Sequence, residues 1–354
     1  MEQKPKLLSF KKQFIGILLI LLCLVPAILI INSGSDEIKW SDFFKFLGNL
    51  KNPFFLIPAF LCVIVSIFWE SLGLHYILVK LKAPSTIASS YVYATADIYF
   101  SALTPSATGG QPASGYYMTK NKISASDATV ALILNLAQFF LSLILLSLFA
   151  FAIAPEIILD SDKPEVIFLF FGGLTVCCVL LAFFIICMLW PGPCRFIGRV
   201  GIKALTAVHI IKNRQKCEES FQEYLTEYEA SFKTVLRCPS ILWVSLFTNI
   251  LQKLTIYLVP VFVILAVNGT ADVFDILTRQ SLLGMAANCI PIPGSVGVSE
   301  ILFLDLISPI LSPSLRMSTM FLTRGISYFF SLVFSGIFTL VWHLRHVVTT
   351  NNKK

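Results

Sequence analysis

The sequence predicts an all-α integral membrane protein with six full transmembrane helices and two broken re-entrant hairpins, arranged as an inverted repeat. Of its 354 residues, 56% are hydrophobic and 13% are charged, whereas about 25% of the residues of an ordinary soluble domain are charged. Six apolar stretches are long enough to cross a bilayer, and two further apolar regions carry proline and glycine near their middle. This pattern excludes a soluble globular protein.

Each predicted span is a stretch of about 20 apolar residues, the length that crosses the hydrocarbon core. The six stretches are residues 14–31, 53–79, 128–153, 166–190, 241–267 and 317–343. The first follows four lysines and so resembles a signal peptide, but no small-x-small cleavage site follows it. We therefore expect it to be retained as the first span.

Lysine and arginine are concentrated in alternate connections between the spans, and such residues favour the cytoplasmic side. With the N-terminus inside, this side holds Lys80, Lys82, Lys120, Lys122, Arg195, Arg199, Lys203, Lys212, Arg214, Lys216, Arg345, Lys353 and Lys354. The opposite connections, around residues 36–37, 156–165 and 272–275, are more acidic. We therefore predict a multi-pass protein of the cytoplasmic membrane with both termini cytoplasmic. Because the basic residues are distributed between spans, the net charge of +7 does not indicate a nucleic-acid site.

The two broken regions are the most informative part of the sequence. Residues 87–118 are interrupted by a Pro/Gly-rich turn at 103–112, and residues 276–311 by a second one at 290–300. The charge pattern predicts that the first hairpin enters from the cytoplasm and the second from outside. Irregular backbone at membrane depth needs protein or a watery cavity to satisfy it. Opposed broken helices therefore predict an inverted repeat with a substrate site near the midplane.

The chain is predicted to form a single membrane domain, residues 1–354. Its first half covers residues 1–190, its second half 240–354, and a cytoplasmic amphipathic linker, residues 191–239, lies between them. In this linker, glutamates alternate with apolar Phe221, Tyr224, Leu225 and Tyr228, as in an interfacial helix. It serves either as a surface helix that ties the halves together or as a docking site for lipid headgroups or a partner.

No residue pattern assigns an enzyme activity. The nine cysteines form no CxxC pair and have no Cys/His ligand spacing, so neither disulfides nor a metal site is indicated. The sequence has no nucleophile elbow, P-loop, dinucleotide fingerprint or HExxH motif. We therefore predict no cofactor and assign no catalytic residue.

Ionisable residues inside membrane segments are costly and indicate function. Six lie in apolar surroundings: Glu70, Asp97, Lys253, Arg279, Glu300 and Arg324. Glu300 begins a half-helix, where it serves either in capping or an internal salt bridge or in the cavity. For Lys253, a phosphate ligand and Glu300 are equally open as the anionic partner. The two arginines bind phosphate in principle, or lie near the outer headgroups.

The predicted substrate site consists of several of these ionisable residues and of residues from the two Pro/Gly-rich turns. The hydroxyl of Thr104 could donate to a headgroup or repair the broken helix backbone. The predicted substrate-binding or translocation residues are Thr104, Pro105, Gly109, Gly110, Gln111, Lys253, Arg279, Asn288, Pro293, Gly294, Gly297, Glu300 and Arg324.

At its two turns the sequence resembles the membrane domain of lysylphosphatidylglycerol synthases, a family that includes the multiple peptide resistance factor and stand-alone flippase-like proteins. The similar motifs are Leu103-Thr104-Pro105 through Gly109-Gly110-Gln111-Pro112, with Tyr116-Tyr117, and the run from Pro291 to Glu300. The resemblance implies handling of phosphatidylglycerol or its lysylated form, and resistance to cationic antimicrobial peptides. The family often has Glu at the position of Gln111, and Arg near Ala113 and Ser114, which puts an ion-pairing site in doubt.

Three functions follow as hypotheses. The leading one is movement of an anionic or aminoacylated phospholipid, or another polyprenyl or glycerol lipid, across the membrane. The second is a phosphatidylglycerol lysyltransferase, alone or as half of a split enzyme that uses lysyl-tRNA. Against it, the longest polar segment, residues 191–239, is too short for a transferase domain. The third is a scaffold for a separate synthase. Assembly of this protein into a homo-oligomer is also an open possibility.

Overall fold

A computed structural model describes residues 45–104, 107–190, 192, 195, 200, 214–290 and 292–351. This part of the chain is helical and contains no strand. Its helices are α1 (Leu56–Lys80), α2 (Ile87–Leu103), α3 (Gly110–Lys120), α4 (Ala125–Ile153), α5 (Glu156–Leu159), α6 (Pro164–Leu189), α7 (Arg214–Arg237), α8 (Pro239–Asn268), α9 (Val273–Ala287), α10 (Val298–Leu302), α11 (Pro313–Arg324) and α12 (Ser331–Asn351). Two π-helical segments, Phe303–Ile307 and Gly325–Phe330, continue α10 and join α11 to α12.

Five of these helical stretches are long and apolar enough to cross a membrane, and they confirm the predicted all-α membrane architecture. They are Pro53–Lys80, Ala125–Ile153, Pro164–Leu189, Pro239–Asn268 and Pro313–Arg345. They match five of the six stretches predicted from the sequence. The other stretch, residues 14–31, lies outside the described residues.

The helix ends follow local capping rules. The Thr86 hydroxyl accepts a hydrogen bond from the Ser89 amide at the start of α2, and Ser124 does the same for Asp127 at the start of α4. Helix α8 ends at Gly269, whose φ of +79° is readily adopted only by glycine. These caps satisfy amides that the first and last turns would leave without partners.

Helices α1 and α8, each of which precedes a broken segment, pack along one another and form the centre of the bundle. Helix α4 packs on α8, α6 and α9. Large apolar side chains remain exposed on the outside, including Phe168 at 72% and Trp243 at 71%. Soluble proteins rarely present so much contiguous apolar surface, and lipid covers it in a membrane.

Both broken segments fold back on themselves as helix-break-helix hairpins. In the first, Asn121 at the end of α3 donates to the Tyr93 hydroxyl of α2 at 2.7 Å, so the two helices run side by side. In the second, Arg279 Nη1 of α9 donates to the Leu306 carbonyl after α10 at 2.8 Å. The breaks lie between α2 and α3 and between α9 and α10, where the sequence places its Pro/Gly turns.

Helix α7, in the predicted linker, packs its apolar face on the bundle. Leu225 and Tyr228 are buried, and the Tyr228 hydroxyl donates to the Cys187 carbonyl of α6 at 3.3 Å. Ser126 of α4 donates to Glu227 at 2.9 Å. Helix α7 also contacts α8, so it touches helices from both halves of the chain.

Candidate functional site at the two helix breaks

The first break is closed by side chains that replace missing helix hydrogen bonds. The Thr104 hydroxyl donates to the Phe100 carbonyl at 2.7 Å and accepts from the Gly109 amide at 2.8 Å. Of the two roles open for Thr104, the structure shows backbone repair. Pro105, a predicted site residue, lies outside the described residues.

Asp97 ties the two half-helices of the first hairpin together. Gln111 Nε2 of α3 donates to Asp97 Oδ2 at 2.7 Å, and the Ser101 hydroxyl donates to Asp97 Oδ1 at 3.1 Å. A Cβ at Gly110 would collide with the Asp97 carboxylate and the Ser101 hydroxyl. Glycine is therefore needed here for the close approach of α3 to α2.

The second break depends on two glycines with positive φ, Gly294 at +59° and Gly297 at +89°. Glu300 Oε2 accepts the Gly297 amide at 2.6 Å and so caps the start of α10. On the other side of the break, Asn288 Nδ2 donates to the Gly284 carbonyl at 2.7 Å and ends α9. The backbone of Pro293 lies in the short turn between these two ends.

Glu300 also forms an ion pair, and its partner is Arg324. Arg324 Nε lies 2.7 Å from Glu300 Oε1, and Nη2 donates to the Gly294 carbonyl at 3.0 Å. The side chains of Arg324 and Glu300 are only 16% and 9% exposed. The sequence left Glu300 open as a partner for Lys253; the structure instead pairs it with an arginine, because α11 runs beside the second break.

The two breaks meet at Tyr328. Its hydroxyl donates to the Ala102 carbonyl, at the end of α2, at 3.3 Å. Its ring lies against Gly294, where a Cβ would collide with it, and 5.0 Å from the Arg324 guanidinium carbon. Sequence reasoning missed Tyr328, for which the only signal was one hydroxyl in the aromatic run from residue 328 to residue 330.

A second group of buried polar residues lies between α1, α4 and α8. Gln252 Nε2 donates to Glu70 Oε2 at 2.7 Å. The neighbouring Lys253 is 5% exposed, and its Nζ lies 3.2 Å from the centroid of the Phe139 ring. Within the described part of the chain, no carboxylate lies within ion-pair distance of Lys253. Three amide oxygens in these helices are buried without a donor, those of Gln138, Asn249 and Gln252.

This chain matches the family model described as "Lysylphosphatidylglycerol synthase TM region" over residues 13–335. It belongs to that family. The match covers both breaks, Lys253, Arg324 and Tyr328. No curated protein and no solved structure matches the chain.

In this family member, Arg279 is a predicted site residue that lies apart from the breaks. Arg279 Nε donates to both carboxylate oxygens of Asp275 at 2.9 Å, one turn earlier in α9. With its bond to the Leu306 carbonyl, it joins α9 to the segment after α10. Arg279 therefore holds the arms of the second hairpin together, whereas Arg324 reaches the break itself.

Two surface cavities of this family member, of about 760 and 300 Å³, lie away from the breaks. The larger is lined by the connection between α8 and α9, and the smaller by residues near Lys45 and Leu315. Neither of these two cavities is the internal one that the sequence predicts between the hairpins. Across the described residues, no three His, Cys, Asp or Glu side chains form a group that could hold a metal ion.

Proposed function

We propose that this member of the lysylphosphatidylglycerol synthase TM family moves an anionic or aminoacylated phospholipid across the cytoplasmic membrane. Phosphatidylglycerol and its lysylated form are the first substrates to test. The observation that carries the proposal is the contact between the two breaks at Tyr328. Broken helices that converge inside a membrane bundle are the arrangement in which transporters hold a substrate.

The proposed transport pathway has a definite membrane topology. Both termini lie in the cytoplasm, the α2–α3 hairpin enters from the cytoplasm and the α9–α10 hairpin enters from outside. The packing of α1 on α8 supports this, because the helix before each hairpin holds an equivalent place in the bundle. The halves, residues 1–190 and 240–354, then form an inverted repeat in which one break faces each side.

The charged side chains suit a headgroup that carries both a negative and a positive charge. Arg324 would bind the lipid phosphate through two N–H groups. Glu300, once separated from Arg324, would accept the ammonium of a lysyl headgroup. Lys253 would bind phosphate deeper in the bundle, since no carboxylate among the described residues lies within ion-pair distance of it and a buried ammonium favours an anion. The acyl chains would remain in the bilayer throughout.

Lipid exchange between leaflets tests this function directly. The purified protein is reconstituted into vesicles that carry labelled phosphatidylglycerol or lysylphosphatidylglycerol, and the transfer rate is measured for wild type, Glu300→Gln and Lys253→Met. We expect transfer in the wild type and at least a tenfold lower rate in both variants. Glu229→Gln, which removes only the exposed pair with Arg195, is the matched control and should transfer lipid at the wild-type rate.

The outcomes separate the function classes. Transfer that is unchanged in both Glu300→Gln and Lys253→Met would contradict the pathway assigned to these two residues. No transfer of any tested lipid by the folded wild type would contradict transport itself. In that event, lysine incorporation into lipid with lysyl-tRNA would favour the transferase hypothesis, and co-purification of a synthase would favour the scaffold.

A further inference from the structure

Two carboxyl groups with no role in the proposed headgroup site meet in the centre of the bundle. Glu70 of α1 and Asp97 of α2 are 5% and 8% exposed, and their carboxyl groups lie close enough to interact. Their hydrogen-bond partners among the described residues are donors. Gln252 donates to Glu70, and Gln111 and Ser101 donate to Asp97.

Two carboxyl groups this close in a buried site are expected to hold one proton between them. Both cannot stay ionised, because like charges repel strongly where water is excluded. The burial and proximity of the pair therefore indicate one negative charge and one proton.

Lys253, next to Gln252 in α8, supplies a positive charge near the pair. It is 5% exposed, acts electrostatically on Glu70 and has no ion pair in the described part of the chain. With one proton on the carboxyl pair, the positive charge of Lys253 balances the pair. Loss of the proton leaves a net negative charge in the membrane interior, which is costly until the site opens or gains a cation.

The pair is connected to the first break. Asp97 accepts from Gln111 across that break, and Gly110 packs directly against its carboxylate. A change in the charge of Asp97 changes the hydrogen bond that holds α3 to α2. Proton binding and opening of the break therefore act on the same contact.

We propose that Glu70 and Asp97 form a proton-binding site whose loading and unloading couple proton movement to the opening of the first break, a coupling that rests on the proposed function. Release breaks one carboxyl O–H bond, leaves its electron pair on the carboxylate and passes the proton to water that reaches the open break. Rebinding reverses the step and returns α3 to α2.

The donors around the pair favour a proton over a metal cation. Sodium or calcium would need several oxygen ligands, but N–H and O–H groups already occupy three of the four carboxylate oxygens of the pair. The charged group of α8 beside the pair is Lys253, and the Cys177 thiol of α6 lies near Lys253. Helices α3 and α12 also pack near α2, and their Tyr117 and His343 interact with each other.

Infrared difference spectroscopy of the purified protein in lipid nanodiscs detects this proton and does not depend on a lipid-transport assay. We expect a carbonyl stretch of a protonated carboxylic acid that disappears reversibly as the pH rises. Glu70→Gln and Asp97→Asn should each remove or shift the band. Glu300→Gln, which removes a carboxylate that faces an arginine, should keep it. Exchange of sodium for potassium at constant pH should leave it unchanged.

The second measurement applies a pH gradient to the vesicles of the lipid-exchange assay. We expect the gradient to change the wild-type transfer rate at least threefold and to have no effect in Asp97→Asn. Absence of the band in folded wild type, or its loss on sodium addition alone, overturns the proton site, and lipid transfer that persists then leaves the proposed function standing. A band with no transfer of any lipid overturns the coupling together with the proposed function. A wild-type transfer rate that the pH gradient does not change overturns only the coupling between proton binding and transport.

Discussion

The Tyr328 hydroxyl donates a hydrogen bond to the Ala102 carbonyl at 3.3 Å, although 226 positions separate the two residues in the chain. This bond joins the end of α2 to the segment that follows α11. The Tyr328 ring covers Gly294, so one side chain contacts both helix breaks. Any separation of the breaks must therefore move Tyr328.

Tyr328→Phe should remove this bond and keep the aromatic ring. The ring stays between Gly294 and Arg324, so we expect the free energy of unfolding to fall by only about 1 kcal/mol, the net value of one hydrogen bond. Lipid exchange should nevertheless change at least threefold, because the contact between the breaks is weakened. Thermal unfolding in detergent and the exchange assay check the two effects separately. An unchanged exchange rate would show that this bond does not control the breaks.

Gly294→Ala adds only one methyl group but should lower the stability of the protein strongly. The φ of +59° at Gly294 disfavours any side chain, and a Cβ would also collide with the Tyr328 ring. We expect a loss of more than about 1–2 kcal/mol of stability, measured by thermal unfolding. Gly325→Ala is the matched control, because nothing lies within 4 Å of its Cβ position and its backbone is helical. The control should be neutral or slightly stabilising.

The first break offers a similar comparison within one helix. Gly110→Ala should push α3 away from Asp97 and Ser101, because the added Cβ would collide with both side chains. We expect a lower melting temperature and loss of lipid exchange. Gly115→Ala meets only Leu132 at 3.4 Å, an ordinary contact, and should retain both properties. Equal melting temperatures for the two variants would contradict the close packing of α3 on α2.

The Glu300–Arg324 ion pair should show strong coupling between its partners. Glu300→Gln or Arg324→Gln alone leaves a buried charge without a partner, which costs roughly 3–5 kcal/mol. The double variant should recover part of that loss, because neither charge remains. Unfolding of the four proteins gives the interaction energy as a double-mutant cycle. Strictly additive losses would mean that the two side chains do not interact in the folded protein.

Thiol labelling tests the proposed membrane topology of both hairpins. In a background without native cysteines, Lys80→Cys and Lys120→Cys flank the first hairpin, and Thr270→Cys and Ser312→Cys flank the second. An impermeant thiol reagent should label the second pair in intact cells and the first pair only after permeabilisation. Labelling of one member of either pair from each side would mean that the hairpin crosses the membrane fully.

The sequence by itself determined the helical membrane architecture and the positions of the breaks. Hydropathy, proline and glycine act over a few residues, so five spans and both interruptions could be read from the chain before any packing was known. The sequence also predicted Lys253, Glu300 and Arg324 as site residues, because ionisable groups in apolar stretches can be recognised without a structure.

Only the tertiary structure decided which of these groups meet. It paired Glu300 with Arg324 rather than Lys253, placed Arg279 on the arm of a hairpin, and brought Tyr328 to both breaks. A sequence records which side chains are polar but not how helices far apart in the chain pack against each other. Ion pairs and hydrogen bonds act over about 3–4 Å, so partner choice is fixed only when packing sets those distances.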